Sequence, residues 1–190
     1  DLILRDLELL KKINQQTKCV VQMTLTTFDE NLCQKLEPGV CTTQRRIEVL
    51  KELHKNGIPT IVWLTPILPF INDSQENILK ILEECHEAGV KGIICFGMGV
   101  TLREGSREYY YKQLDRLFPG MKEKYQMTYN DQYTLNSPHN RDLMNLFFKK
   151  CQEYQMMCNY LEIFEYLQEF EEKTPIKKKD IHDFEQLSLF

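Results

Sequence analysis

The stretches "ELHKNGIPTIVWL" (52–64) and "ECHEAGVKGIICF" (84–96) share one plan. Each runs from a helix end through a histidine and two further residues to a glycine, then into a short apolar run. Gly57 and Gly89 suit the left-handed position just past a helix, where any Cβ is costly. The runs that follow, Thr60 to Leu64 and Gly92 to Phe96, are apolar on both faces, as strands of a covered parallel sheet are. His54 and His86 then fall in last helical turns, where partial positive charge meets the negative end of the helix dipole.

Helical patterns precede both runs. In "TTQRRIEVLKELHKNG", Thr42 or Thr43 can cap, and Ile47, Leu50 and Leu53 lie near one face. In "NDSQENILKILEECHEAG", Asp73 and Glu76 have capping-box spacing, and Ile78, Ile81, Leu82 and Cys85 form the apolar stripe. A looser third copy places a helix over 2–14, a polar turn, and "CVVQMTLTT" as a strand over 19–27. The order α-β-α-β-α-β predicts an α/β fold of consecutive β/α units, in a barrel or an open parallel sheet. Three strands make half a barrel. The chain opens without methionine, inside the amphipathic pattern "DLILRDLELLKKIN", so an N-terminal portion is expected ahead of it.

In such folds chemistry gathers at the C-terminal ends of strands. Three loops qualify: 26–41, 65–73 and the glycine-punctuated 97–106. Beyond Arg103, basic residues mix with seven aromatic ones up to a turn at "NSPHN", and helices are expected over 138–157 and 159–171. Arg103, Arg107 and Lys112 are candidates for nucleic-acid phosphates, with Tyr109, Tyr110 or Tyr111 stacking on a base. The alternative has the tyrosines sealing the barrel and the charges solvated. "EEKTPIKKKDIHD" has little to bury and reads as a polar linker. The chain thus divides into a half-barrel (1–102), a helical extension (103–171), and a linker with a terminal tail (172–190).

Composition narrows the class. With 190 residues, 42% hydrophobic and 27% charged, the chain reads as one globular domain plus an appendage. A net charge of −4 excludes a uniformly basic nucleic-acid surface. No apolar run approaches a membrane span and no signal-peptide pattern opens the sequence, so a cytoplasmic protein is expected, with no membrane partner. The seven cysteines (19, 33, 41, 85, 95, 151 and 158) include no C-x-x-C pair. They read as reduced thiols, with no metal-ligand set in this chain.

The stretch "MTLTTFDENLCQKLEPGVCTTQRRIEVLKELHKNGIPTIVWLTPILPFIND" resembles the second half of the radical S-adenosylmethionine barrel. Within that superfamily it is most similar to the DNA repair photolyases related to spore photoproduct lyase. The matching pieces are a strand ending T-x-T-T, then Glu37-Pro38, and Arg46 opening a helix. A Gly-Ile-Pro helix stop follows, then Pro66-x-x-Pro69 before Asn72-Asp73. The later "LFPGMKEKY" is similar to the subfamily's C-terminal region, so the resemblance covers roughly residues 1–130.

This resemblance implies a partial (β/α)6 TIM-like barrel that binds S-adenosylmethionine at its open face. It also implies a [4Fe–4S] cluster that cleaves the cofactor to a 5′-deoxyadenosyl radical. The family's C-x-x-x-C-x-x-C cluster motif is absent from this sequence. The cluster's ligands are therefore expected outside this chain, which by itself should be inactive. Carried over residue by residue, Thr24 stands at a position usually serine, where its hydroxyl meets the cofactor's amino-acid part or ribose, and Thr26 supports the same region. Arg46 matches an arginine suited to the methionyl carboxylate. Trp63, Pro66, Gly97 and Met98 offer surface to the adenine. Read without the family, the threonines are ordinary strand residues, Arg46 a solvated helix position, and Trp63 core.

The last five residues, Gln186, Leu187, Ser188, Leu189 and Phe190, resemble the bacterial sliding-clamp-binding pentapeptide Q-L-[S/D]-L-F. The two leucines and the phenylalanine would fill apolar pockets while the Gln186 amide fixes orientation. The alternative is that they pack back onto the domain. The combined expectation is the C-terminal part of a lyase-like radical S-adenosylmethionine enzyme, recruited to DNA by the clamp. The rivals are the same chemistry on a non-DNA substrate, and a clamp-associated β/α scaffold without catalysis.

Overall fold

The computed structural model of the protein describes residues 2–170. The linker and the clamp-binding reading at Gln186–Phe190 lie outside the described residues. A 3-10 turn over Leu2–Asp6 leads into α1 (Leu7–Gln16) and β1 (Val21–Thr24). Next come α2 (Glu30–Leu36), α3 (Thr43–Lys55) and β2 (Thr60–Trp63), then α4 (Gln75–Glu87) and β3 (Gly92–Ile94). The three strands form a parallel sheet in the order β1-β2-β3, with Val21 opposite Thr60 and Ile61 opposite Gly92.

The β/α reading of 19–96 therefore holds as three parallel strands with crossover helices. They form an open sheet; no closed barrel is present among the described residues. Thr42 caps α3, its hydroxyl accepting from the Arg45 N–H. The Asp73–Glu76 capping box does not form. Ser74 caps α4 by accepting from the Asn77 N–H, and the Asp73 carboxylate turns inward to accept from the Ser137 hydroxyl.

Both glycine stops close alike. Gly57 and Gly89 have φ of 70° and 68°, and the next N–H reaches back to the helix: Ile58 to the Leu53 carbonyl and Val90 to the Cys85 carbonyl, both at 3.0 Å. This is the Schellman arrangement. A third instance ends α7 (Asn140–Glu153), where Gln155 takes φ 55° and the Met156 N–H reaches the Cys151 carbonyl at 2.9 Å. The chain then pairs Met157 in parallel with Gly92, the Ile93 N–H donating to the Met157 carbonyl at 2.8 Å. Residues 140–157 thus comprise the helix expected over 138–157, which stops at Gln155 and adds Met157 to the sheet's other edge, a stop hidden in the sequence because glutamine occupies the glycine position. A non-glycine residue in this region costs about 1–2 kcal/mol. Gln155→Gly is therefore expected to raise unfolding stability by about 1 kcal/mol in a denaturant titration.

One sheet face packs on α3, α4 and α7, where Val62, Ile93, Ile47, Ile81 and Phe147 are fully buried. The opposite face meets α8 (Tyr160–Gln168), which covers Ile61 and Ile94 with Ile163. Loop 97–106 is more structured than expected. It contains β4 (Gly99–Thr101), antiparallel to β5 (Thr134–Asn136). The extension expected to be all-helical thus includes a strand. Between them α5 (Ser106–Leu117) and α6 (Met121–Tyr129) build a separate aromatic cluster around Tyr111, Tyr125 and Tyr129. No helix among the described residues is long and apolar enough to cross a membrane.

Candidate functional site

The C-terminal ends of β1 and β2 are locked together by two asparagines. The Asn72 amide donates to the Thr26 carbonyl at 3.0 Å and to the Thr27 hydroxyl at 3.1 Å, while its oxygen accepts from the Leu68 N–H. The Asn77 amide also donates to the Thr26 carbonyl, at 2.9 Å, and its oxygen accepts from the Phe28 N–H. Buried polar groups of this kind fix geometry because each loses its water on folding. Loop 65–73 is further tied to β4 through the Ile67 N–H and the Gly99 carbonyl, 3.1 Å apart.

Above this edge stands the aromatic cluster. The Tyr125 hydroxyl donates to the Pro69 carbonyl and accepts from the Tyr110 hydroxyl at 3.1 Å. Tyr125 is fully buried, with Phe70 at 5.8 Å and Tyr129 at 5.6 Å between ring centroids. Burial pushes the Tyr110 and Tyr129 phenols up, each to about 12, and raises Tyr125 in the same direction. A phenol whose folded pKa exceeds the unfolded value near 10 stabilises the fold below that value and loses the contribution as pH rises through it. The domain is expected to lose stability between pH 10 and about 12, with phenolate absorbance appearing together with unfolding.

Between strand edge and aromatic cluster lies a cavity of about 480 Å³. Its floor is Thr24, Thr26, Pro66 and Asn72; one wall is Leu36 to Pro38, and the other is α5. The structure thus brings together three of the residues expected at a cofactor, Thr24, Thr26 and Pro66. Arg46 stands behind them with its side chain 12% exposed. Its guanidinium donates to the Thr24 carbonyl at 3.1 Å and pairs with the Glu37 carboxylate. Arg46 therefore braces the β1 end against the Glu37 loop, and its charge is met within the chain.

The remaining expected residues fall elsewhere. The Trp63 indole donates to the Gln22 side chain at 2.8 Å, and its ring lies 6.0 Å from Phe96 and 6.3 Å from Phe164, on the sheet face covered by α8. Met98 is fully buried in the main core, held through its N–H by Asn140 at 2.7 Å, and Gly97 adjoins the same asparagine. None of these three lines the cavity. Arg107 donates to the carbonyls of Leu102, Asn130, Asp131 and Gln132, so it clasps the turn between α6 and β5. Arg103 donates to the Tyr133 hydroxyl at 3.3 Å. Lys112 is exposed on α5 and lies outside the cavity lining. Tyr111 is buried, whereas Tyr109 is 67% exposed at the cavity.

No group of three or more histidine, cysteine or acidic side chains among the described residues is placed to hold a metal ion. Burial also keeps the thiols of Cys85, Cys95 and Cys151 protonated, pushing Cys95 up to about 11 and the other two higher.

The chain is similar to an uncharacterized protein of Mycobacterium tuberculosis, 30% identical over 128 residues that make up 67% of this chain and 37% of that protein. It is also similar to an uncharacterized protein of Methanocaldococcus jannaschii, 37% identical over 73 residues, 38% of this chain and 27% of the relative. An uncharacterized protein of Acidianus two-tailed virus matches at 28% identity over 111 residues, 57% of this chain and 36% of its own length. The chain spans between 27% and 37% of the length of these relatives. No protein-family profile matches it, and neither does any solved structure.

Proposed function

We propose that residues 1–102 are the C-terminal half of a partial (β/α)6 barrel that binds S-adenosylmethionine. The whole protein would be a radical S-adenosylmethionine enzyme of the lyase-like group that includes spore photoproduct lyase. The observation carrying this reading is the convergence of Thr24, Thr26 and Pro66, braced by the Arg46–Glu37 pair, on one cavity at the C-terminal ends of parallel strands. Open α/β sheets bind their ligands outside that edge. The cavity's size and its mainly apolar lining with a few polar groups suit a small-molecule site.

S-adenosylmethionine bound there would supply the 5′-deoxyadenosyl group used in hydrogen abstraction. The chain's own residues would orient it. The Thr24 and Thr26 hydroxyls would bond the ribose or amino-acid part, Pro66 and Leu68 would pack on the adenine, and Arg46 would hold the Thr24 carbonyl in place. The described residues do not fit the [4Fe–4S] cluster, so this reading takes its cysteines from outside the chain. A cytoplasmic location fits the reduced thiols. The tail at Gln186–Phe190 would bind the sliding clamp and bring the enzyme to DNA.

The test is anaerobic iron–sulfur reconstitution of the protein extended upstream of Asp1. The expected product is 5′-deoxyadenosine from S-adenosylmethionine, with turnover on damaged DNA separating a DNA substrate from any other. An upstream sequence without C-x-x-x-C-x-x-C overturns the radical reading and leaves the clamp-associated scaffold. Deleting residues 186–190 is expected to abolish clamp binding while the melting temperature stays within about 1 °C. Destabilisation with clamp binding intact would contradict the tail's assignment.

A further inference from the structure

Arg46 is the arginine offered by the sequence for a ligand's anionic end, yet its charge is met by Glu37. Two other cations line the same cavity, Lys35 from α2 and Arg116 from α5. Neither has a carboxylate within ion-pair distance among the described residues. The Lys35 ammonium rests 4.1 Å from the centroid of the Phe118 ring, a contact that orders it without neutralising it. Arg116 donates through Nε to the neutral Gln113 side chain at 3.0 Å. The cavity therefore presents two positive charges, one from each wall, with no carboxylate partner among the described residues.

Helical spacing places a flat surface beside them. Tyr109, Gln113 and Arg116 recur at i, i+4 and i+7 and so share one face of α5. Tyr109 is 67% exposed and makes no ring contact with another described residue, so its face is open for stacking. Apolar side chains at Tyr110, Leu114 and Leu117 form the adjacent row of the same wall.

From this arrangement we infer that the cavity takes a ligand joining a planar heteroaromatic ring to an anionic group. The anionic group is held by Lys35 and Arg116, and the ring lies against Tyr109. Two chemical sources carry both features: the adenine and carboxylate of S-adenosylmethionine, and the base and phosphate of a nucleotide. The inference rests on the cavity being the protein's ligand site, as proposed above. It assigns the anion to a residue pair on the rim and leaves Arg46 a bracing role.

Calorimetric titration of the 190-residue chain tests it, with adenosine 5′-monophosphate, S-adenosylmethionine, adenosine and inorganic phosphate as probes. The monophosphate is expected to bind saturably and to be displaced by millimolar phosphate. In Lys35→Ala/Arg116→Ala its affinity should fall about tenfold to a hundredfold, since bonds to charged groups contribute about 1.5–3 kcal/mol. Adenosine affinity should stay within about twofold, and Lys35→Arg/Arg116→Lys should retain most of the monophosphate affinity. An equal drop for S-adenosylmethionine supports both readings. Binding of the monophosphate without S-adenosylmethionine sustains the inference and removes the cofactor proposal. Unchanged monophosphate affinity in the alanine variant overturns the inference, as does an equal loss for adenosine or the absence of saturable binding by either anionic ligand.

Discussion

Tyr125→Ala is expected to lower unfolding stability by about 3–5 kcal/mol, the cost of emptying a buried aromatic site. Tyr125 is fully buried, and three rings contact it: Phe70, Tyr110 and Tyr129. Its hydroxyl also holds the Pro69 carbonyl, so it is the pin between α6 and loop 65–73. Truncation removes the packing and leaves that carbonyl unsatisfied. Because Tyr110 shares the hydroxyl bond and lines the cavity, ligand affinity should fall along with stability. Tyr125→Phe separates the two effects. It keeps the ring and loses the bond, for an expected cost of about 1–2 kcal/mol in thermal or urea unfolding.

Asn72→Ala should cost about 2–4 kcal/mol. The amide is 2% exposed and makes three bonds: to the Thr26 carbonyl, to the Thr27 hydroxyl and from the Leu68 N–H. The Thr26 carbonyl retains Asn77 as a second donor, whereas the Leu68 N–H is left without its side-chain acceptor. An unsatisfied buried donor costs about 1–3 kcal/mol, and the lost packing adds to that. Asn72→Asp is the sharper variant. It keeps the shape and the acceptor for Leu68, yet directs a carboxylate at the Thr26 carbonyl. A denaturant midpoint close to wild type in either variant would show that the loops are held by packing alone.

The sheet was legible where glycine marked it. Gly57 and Gly89 stop their helices as read, and the apolar runs after them are the strands β2 and β3. The helix over 140–153 was legible, but its stop and the pairing of Met157 with Gly92 were not, because Gln155 accepts the left-handed conformation that the pattern assigns to glycine. Strands β4 and β5 are only three residues each, too short for a period of two to mark them, so 97–106 looked like loop. Ser74 displaced Asp73 as the cap because Asp73 had a distant partner, Ser137, which local spacing cannot reveal.

The site divides along the same line. Thr24, Thr26 and Pro66 lie next to strand ends, where topology alone puts a ligand, and they line the cavity. Trp63 and Met98 are also near strand ends, yet their side chains face α8 and the main core, a consequence of strand alternation and crossover geometry. Lys35, Tyr109 and Arg116 meet only when α5 folds back over the strand edge. The i, i+4, i+7 spacing of Tyr109, Gln113 and Arg116 was the one available signal for the α5 wall.

The proposed S-adenosylmethionine site is the edge formed by Thr24, Thr26, Glu37 and Pro66. Amide hydrogen exchange of the 190-residue chain, with and without saturating S-adenosylmethionine, tests it most directly. Exchange is expected to slow at residues 24–27, 36–37 and 70–73 and along α5, with α8 and residues 140–157 unchanged. Protection confined to the α8 face around Trp63 and Phe96, or no protection anywhere, would contradict it.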